Sequence, residues 1–305
     1  MILRHTVSKS DGGVRVLTVL RRDMGLSSSM VRRLKRCRGI KVDGIDRYVT
    51  YVLSGGETVE ADITAAEPDC DIVPQRGEIT VIYENDGYLV ANKPTGQLTH
   101  PSRAQYTQTL SNYVAGYLLE NGGDGRCHSV NRLDRGTSGT VLFAKNSYYM
   151  EKCAAALKEP TAQKAYTAIV FGALPENEGT VDAPIFRPDS RDLRRIVHRD
   201  GQRAITHYKV KNVLEIDGET VCVVNLNLET GRTHQIRVHM LHLGCPILGD
   251  RIYNTAASRS LSEKLGMEYQ ALHAHLLRFR DPISGEVLSH TAEITRADMV
   301  KIINK

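Results

Sequence analysis

No stretch of this 305-residue chain approaches the ~20 consecutive apolar residues that a membrane-spanning helix needs. The opening MILRHTVSKSDGG lacks the apolar core of a secretory signal. The six cysteines (Cys37, Cys70, Cys127, Cys153, Cys222, Cys245) are scattered without a CxxC pair, which argues against a zinc ribbon and against a disulfide framework. No GxGxxG joins a strand to a helix and no GxxxxGKS/T occurs, so nucleotide cofactors have no support; GxSxG and HExxH are missing too. Internal repeats and low-complexity tracts are absent. What is left is a composition of 41% hydrophobic and 25% charged residues, that of an ordinary globular chain long enough for about two domains. A reduced, cytoplasmic, soluble protein is the simplest expectation.

The net charge of +5 is modest, but its distribution is uneven. Residues 14–42 carry nine cations (Arg15, Arg21, Arg22, Arg32, Arg33, Lys35, Arg36, Arg38, Lys41) against the single acid Asp23. Such a concentration is the footprint of a polyanion binder, although a solvated helix face would look the same. The stretch has the pattern of an ordered unit. Val16, Leu17, Val19 and Leu20 make a short helical stripe, broken at Met24-Gly25-Leu26. Ser27 or Ser28 can cap a second helix running through Arg38, with Met30, Val31 and Leu34 inward and Gly39 as its stop. Ile40-Lys41-Val42 then enters a tight turn at Asp43-Gly44, with Val49, Val52, Val59 and Ile63 as further strand material. LRRDMGLSSSMVRRLKRCRGIKVDG, followed by YVLSGGETV, resembles the small RNA-binding domain of a ribosomal small-subunit protein and of many RNA-modifying enzymes. The resemblance covers roughly residues 14–65 and makes Arg21, Arg22, Arg32, Arg33, Lys35 and Arg36 candidate RNA contacts.

An acidic, proline-containing stretch, residues 60–78, reads as a linker, dividing the chain into 1–70 and 71–305. Beyond it, strands are expected at Ile79–Asn85 and Tyr88–Ala91 around the Asp86-Gly87 turn, and at Val141–Ala144, Ala165–Val170, Thr206–Val210, Val221–Leu228, Leu272–Leu277 and Val287–Ile294. Leu110, Tyr113, Val114, Tyr117 and Leu118 mark a helix, and Ser147 can cap another carrying Met150, Cys153, Ala154 and Leu157. With two or three helices and no regular strand–helix alternation, the expected fold is α+β, built on a mixed, mostly antiparallel sheet.

Three segments carry polar chemistry. In CHSVNRLDRGTSGTVLFAK (127–145), Arg132, Asp134 and Arg135 precede a Gly-Thr-Ser-Gly loop and a buried strand, the place where a rigid scaffold presents reacting groups. Spacing alone would equally describe a loop ion pair. In ETGRTHQIRVHMLHLG (229–244), Thr230 or Thr233 can cap a helix bearing Arg237. His234 and His239 lie about 500° apart around such a helix, so His234, His239 and His242 share no metal-binding face. In KAYTAIVFG (164–172), Tyr166 sits in a strand, where tyrosine is usually core.

Taken together and in order, these segments resemble the RluA-type family of pseudouridine synthases. NKPTGQLTHPS (92–102), NRLDRGTSG (131–139), AYTAIVFG, GRTHQIRVHM, PILGD with Tyr253, and LHAHLLRFRDPISGE all match, over about residues 78–295. Asn131 stands where the family usually has His. The resemblance implies isomerisation of uridine in RNA, with large-subunit ribosomal RNA favoured as partner over transfer RNA, no metal or other cofactor, no membrane, and a monomer. It implies that Asp134 faces the anomeric carbon, as nucleophile or as electrostatic partner and base, and that Arg237 holds that carboxylate ionised in a two-oxygen fork. It implies Tyr166 as the stacking platform or the group removing a proton from the rejoined carbon, and Arg132 at the position vacated by the base or at a phosphate. Competing readings are a catalytically silent ribosome-associated RNA-binding protein, a glycoside-type hydrolase needing a second carboxylate, and a histidine-based metalloenzyme.

Overall fold

The computed structural model describes residues 1–189 and 192–305. The N-terminal part is a four-stranded antiparallel sheet in the order β1-β4-β2-β3, formed by β1 (Ile2–Thr6), β2 (Ile40–Val42), β3 (Ile45–Asp46) and β4 (Thr58–Asp62). Helices α1 (Val16–Arg22) and α2 (Ser28–Arg36) share its core through Val16, Val19, Leu20, Met30 and Leu34. Ser27 Oγ caps α2, accepting from Met30 N at 3.1 Å. The helix ends at Arg36, two residues earlier than expected, and Arg38, not Gly39, adopts the left-handed φ of 55°. Gly39 is needed for a different reason, since a Cβ there would lie 3.0 Å from Leu34 Cδ2 and 3.1 Å from Cys37 Sγ. The Asp43-Gly44 turn has positive φ at both residues, 49° and 77°, as a two-residue hairpin demands. Val49 and Val52 form no strand; their backbones pair with Leu17 and Arg15 in a loop over α1.

The remaining chain contributes β5 (Thr80–Glu84), β6 (Tyr88–Lys93), α3 (Leu110–Glu120), β7 (His128–Ser129), β8 (Ser138–Ala144), α4 (Ser147–Ala156), β9 (Gln163–Phe171), β10 (Glu178–Asp182), β11 (Ile185–Phe186), β12 (Ile196–Val197), β13 (Ile205–Ile216), β14 (Glu219–Leu228), α5 (Gln235–His242), α6 (Ala256–Lys264), β15 (Leu272–Arg280), β16 (Val287–Thr291) and α7 (Ala297–Ile303). A ten-stranded sheet runs β10-β13-β14-β9-β15-β8-β6-β5, with β16 on β15 and β7 on β8. Every pairing is antiparallel except β15 with β8, in agreement with the expected α+β class. At that parallel junction Gly139 has φ 116°, and a Cβ would meet the Ala274 carbonyl oxygen at 2.2 Å. Side-chain-free backbone is therefore required where the central strand enters the sheet.

Five helices, α3 to α7, accompany this sheet rather than two or three. α6 is easy to overlook because it is serine-rich, and its start is fixed by a Thr255–Ser258 capping box rather than by propensity. Two expected caps also move. Asn146, not Ser147, caps α4, accepting from Tyr149 N at 3.0 Å. Neither Thr230 nor Thr233 caps α5; His234 occupies that position with a left-handed φ of 59°. The largest core lies between the β9/β14/β13 face and helices α5, α6 and α7, and a second lies between β6/β8 and α3. Among the described residues no helix is long and apolar enough to cross a membrane.

The N-terminal part is held on α4. Glu67 accepts three bonds from Ser147, two from its amide (2.9 and 3.0 Å) and one from its hydroxyl (2.8 Å), and pairs with His128 Nε2 at 2.6 Å. Ser27 donates to Glu151 at 2.6 Å, Arg33 Nη2 donates to Ser147 Oγ at 3.0 Å, and Tyr148 packs onto the N-terminal core. Burial pushes the Glu67 pKa up, but the bonds from His128 and Ser147 outweigh it and hold the carboxyl below its ordinary 4.5. Its contribution is thus present above that value and lost as pH falls through the lowered pKa. Glu67→Gln should cost about 1–3 kcal/mol in urea unfolding at pH 7, with the difference from the parent shrinking below pH 4.

Candidate active site

The polar loop between β7 and β8 is fastened from two sides. Asn131 accepts from Leu142 N at 2.7 Å and donates to the Thr140 carbonyl at 3.3 Å, tying the loop's start to β8. Across from it, the 92–102 segment brackets the loop. Buried Thr99 donates to the Leu133 carbonyl at 2.9 Å and accepts from Leu133 N at 3.2 Å. Thr95 reaches the Gly136 carbonyl at 2.8 Å, and Gly96 N the Arg135 carbonyl at 2.8 Å. Lys93 has no solvent exposure, and its ammonium donates to the carbonyls of Pro94 (2.8 Å), Gln97 (2.7 Å) and Arg135 (3.2 Å). Burial pulls its pKa down, to about 7, against the Asp134 carboxylate. Three acceptors for three N–H groups suit the ammonium form.

This loop presents Asp134 to a cleft of about 1650 Å³ that is also lined by Arg132, Tyr166, Lys164, His234 and Arg237. Arg237 Nη1 donates to Asp134 Oδ2 at 2.9 Å, with the Arg237 side chain 7% exposed and that of Asp134 29%. The guanidinium fork does not close on Asp134, as sequence led us to expect. It closes on Asp250, with Nε to Oδ2 at 2.6 Å and Nη2 to Oδ1 at 2.8 Å. Asp250 is fully buried and also accepts from the amides of Ile252 (2.9 Å) and Tyr253 (3.0 Å). Burial works against the Arg237 charge, but Asp250 and then Asp134 more than offset it and raise its pKa. Asp134 thus receives one bond through Oδ2, and Oδ1 has no hydrogen-bond partner among the described residues.

Tyr166 on β9 is partly buried between the two large cores, and its hydroxyl has no partner among the described residues. Burial first, then the Asp134 carboxylate, push its phenol pKa up, so it is neutral at physiological pH. Arg132 is exposed at the cleft wall. His239 is satisfied by Thr206 Oγ1 and the Ala183 carbonyl, both at 2.9 Å, a buried structural histidine. Of the N-terminal cations, Arg21, Arg22, Arg32, Lys35 and Arg36 are exposed. Arg33 differs: it turns inward to the Ala66 carbonyl (2.9 Å) and Ser147.

A family model described as RNA pseudouridylate synthase matches residues 87–242, half of the chain. The chain belongs to that family. It is an RNA-modifying isomerase, converting uridine to pseudouridine. An uncharacterized RNA pseudouridine synthase of Bacillus subtilis, YhcT, is 34% identical over 94% of this chain and 91% of its own length. A ribosomal large subunit pseudouridine synthase D of Xanthomonas campestris is 36% identical over 83% of this chain and 77% of its own, in keeping with the RluA type. Human RNA pseudouridylate synthase domain containing 1 superposes with a TM-score of 0.58 over 78% of this chain and 97% of its own, at 22% identity, a likeness of fold.

The residues that sequence reading missed around Asp134 are Asp250, His234, Tyr253, Lys93 and Thr99. PILGD had drawn notice as a segment, yet only the fold shows that its acid meets Arg237. Removing the shared cation of the synthase should cost far more stability than removing the charge of its part-exposed partner. Arg237→Met leaves Asp250 buried without a counter-charge and should cost about 3–5 kcal/mol. Asp134→Asn, at a part-exposed single bond, should cost about 1 kcal/mol or less. Urea unfolding of the two variants measures the contrast, and equal losses would mean that the Asp250 fork does not carry the stability of the site.

Proposed function

We propose that this synthase acts on large-subunit ribosomal RNA with Asp134 as its catalytic carboxylate. The observation that carries the reading is a part-exposed carboxylate in the lining of a wide cleft, with one oxygen held by a cation and no hydrogen-bond partner on the other among the described residues. Isomerisation breaks the N1–C1′ bond of uridine, turns the uracil and forms a C5–C1′ bond; C5 loses a proton and N1 gains one, so no oxidant or co-reactant is consumed. Positive charge develops at C1′ as the first bond breaks, and a carboxylate beside it stabilises that charge. Both the covalent and the electrostatic routes need the same free oxygen, Oδ1.

The target base is stacked in its helix and must be turned out, which costs a few kcal/mol. Tyr166 returns part of that cost as a platform under the uracil, ~1–3 kcal/mol for an aromatic contact. A neutral phenol without a hydrogen-bond partner supports this role over that of a phenolate base. Arg132, exposed at the rim, meets the vacated position or a phosphate. The hydrolase alternative called for a second working carboxylate, and Asp250 is the neighbour in question. With both its oxygens taken by Arg237 and two amides, it has none to offer a water molecule.

Residues 1–70 are proposed as the RNA-affinity unit, with Arg21, Arg22, Arg32, Lys35 and Arg36 on its exposed side. Ribosomal RNA is favoured because relatives at 35–37% identity carry the name ribosomal large subunit pseudouridine synthase D. A monomer in the cytoplasm completes the proposal, consistent with six free cysteines.

On a transcript of large-subunit ribosomal RNA carrying [5-³H]uridine, Asp134→Asn should abolish tritium release while RNA affinity persists; full turnover would refute the assignment. Tyr166→Phe should keep most of the rate, whereas Tyr166→Ala should lose about 5- to 150-fold, the equivalent of ~1–3 kcal/mol of stacking. The combined Arg32→Gln, Lys35→Gln and Arg36→Gln variant should flatten the slope of log K against log salt by about 2–3. An unchanged slope would make this face merely solvated. Modification appearing only in transfer RNA would overturn the ribosomal assignment.

A further inference from the structure

His234 lies outside every role assigned so far, yet it is the non-glycine residue that departs furthest from ordinary backbone at the site. Its φ of 59° places it in the left-handed region at the first turn of α5, and its side chain is only 12% exposed. Strain kept at one residue of a reaction centre is a reason to ask what its side chain reaches. On one side, Nε2 faces Asp134 Oδ2 at 3.8 Å. On the other, Nδ1 meets the Tyr253 hydroxyl at 2.9 Å. That hydroxyl also accepts the backbone N–H of Arg195 at 2.7 Å, from the β11–β12 hairpin. The Tyr253 ring lies edge-on to the imidazole and 5.0 Å from the Arg237 guanidinium carbon.

The direction of each proton follows from this chain. With Arg195 N–H donating into the Tyr253 oxygen, the phenol's own hydrogen finds its acceptor in His234 Nδ1, whereas a proton on Nδ1 would leave that hydrogen without a partner. The imidazole proton then sits on Nε2, facing Asp134. We propose that His234 is a positioning residue for Asp134, held in its Nε2–H tautomer by Tyr253 and the Arg195 amide. Arg237 bonds Oδ2, and the Nε2–H of His234 faces the same oxygen at 3.8 Å, too far for a hydrogen bond but an electrostatic attraction that favours this orientation of the carboxylate, with Oδ1 turned to the substrate. A neutral donor does this without adding a second cation that would draw Asp134 off the sugar. The charged and titratable groups facing the imidazole are Asp134, Arg237, Arg195, Asp250 and Tyr253; burial and the two arginines favour its neutral form, and the two carboxylates oppose them. The inference rests on Asp134 being the catalytic carboxylate.

Two measurements test it, one of them independent of catalysis. In ¹⁵N-histidine NMR of the whole protein, His234 should be neutral at pH 7 with the proton on Nε2. Tyr253→Phe keeps the ring beside Arg237 but removes the donor to Nδ1, so the His234 titration should move to higher pH. A proton on Nδ1 in the parent, or an unmoved titration in the variant, would overturn the proposal even if the RNA substrate were wrongly assigned. In single-turnover tritium release, His234→Ala and Tyr253→Phe should each slow the reaction about tenfold without changing RNA affinity, and together no more than either alone. His234→Gln, which retains a donor, should recover most of the rate lost in His234→Ala. Independent, multiplying losses, or a loss confined to RNA affinity, would show that the two residues do not act through Asp134.

Discussion

The division of one buried guanidinium between two carboxylates is the constraint on which this site depends. Arg237 spends its planar fork on Asp250 and a single N–H on Asp134. Geometrically, that fixes α5 against the 246–253 turn first, since an Asp250 with no solvent exposure cannot be left without a partner. Asp134 is the second beneficiary. It receives a positive neighbour whose position is already set by other bonds, and little reorganisation is needed when charge changes at the sugar. Had the fork closed on Asp134 itself, both carboxylate oxygens would be engaged, and the oxygen proposed to react would have to break a bidentate pair before it could work.

Holding the cation still is only useful if the loop bearing Asp134 is equally still. That task falls to residues that have no evident chemistry. Thr99 clasps Leu133 from both its amide and its carbonyl, Lys93 gathers three carbonyls from two segments, and Asn131 ties the loop to β8. The substitution of Asn131 for the family's usual His is intelligible in these terms. Its amide offers a donor and an acceptor to a strand backbone, and neither of these bonds requires an imidazole or a titrating group.

Much of this was legible in sequence, and the limits have physical causes. Strands with period-two alternation and marked turns, such as 80–84 and 88–93 around Asp86-Gly87, stand where the pattern puts them, because hairpin geometry is local. The loop around Asp134 and its pairing with Arg237 followed from family resemblance. Asp250 did not stand out, because a fully buried acid thirteen residues from its cation carries no local signal of burial. On a regular helix His234 reads as a metal ligand, a satisfied histidine or an RNA-facing one; its left-handed backbone, which turns the ring toward Asp134, is not encoded in any period. Arg33 illustrates the converse error. It belongs by sequence to a stripe of cations, but α2 rotates it onto Ser147, and tertiary packing overrides the pattern.

The balance of charge across the molecule ties these observations together. The cleft around Asp134 is lined by Arg132, Arg135, Lys164, Arg232 and Arg237 as well as by acids, so cations outnumber acids on its walls and a phosphate backbone is attracted there. Under the proposed function, affinity for RNA also draws on a larger basic surface beyond the cleft. A basic unit fastened to α4 serves that end only if it is rigidly placed, because a freely tethered unit would recruit RNA without presenting any particular uridine to Oδ1. Glu67 and Arg33 fasten the unit: an acid seated at the first turn of α4 and a cation turned away from the exposed set to hold the interface. The inward turn of Arg33 is then the counterpart of the outward exposure of Arg32, Lys35 and Arg36. One face of a single helix docks onto α4 and the other carries exposed cations, so the orientation of the basic surface is set by the same element that holds the interface.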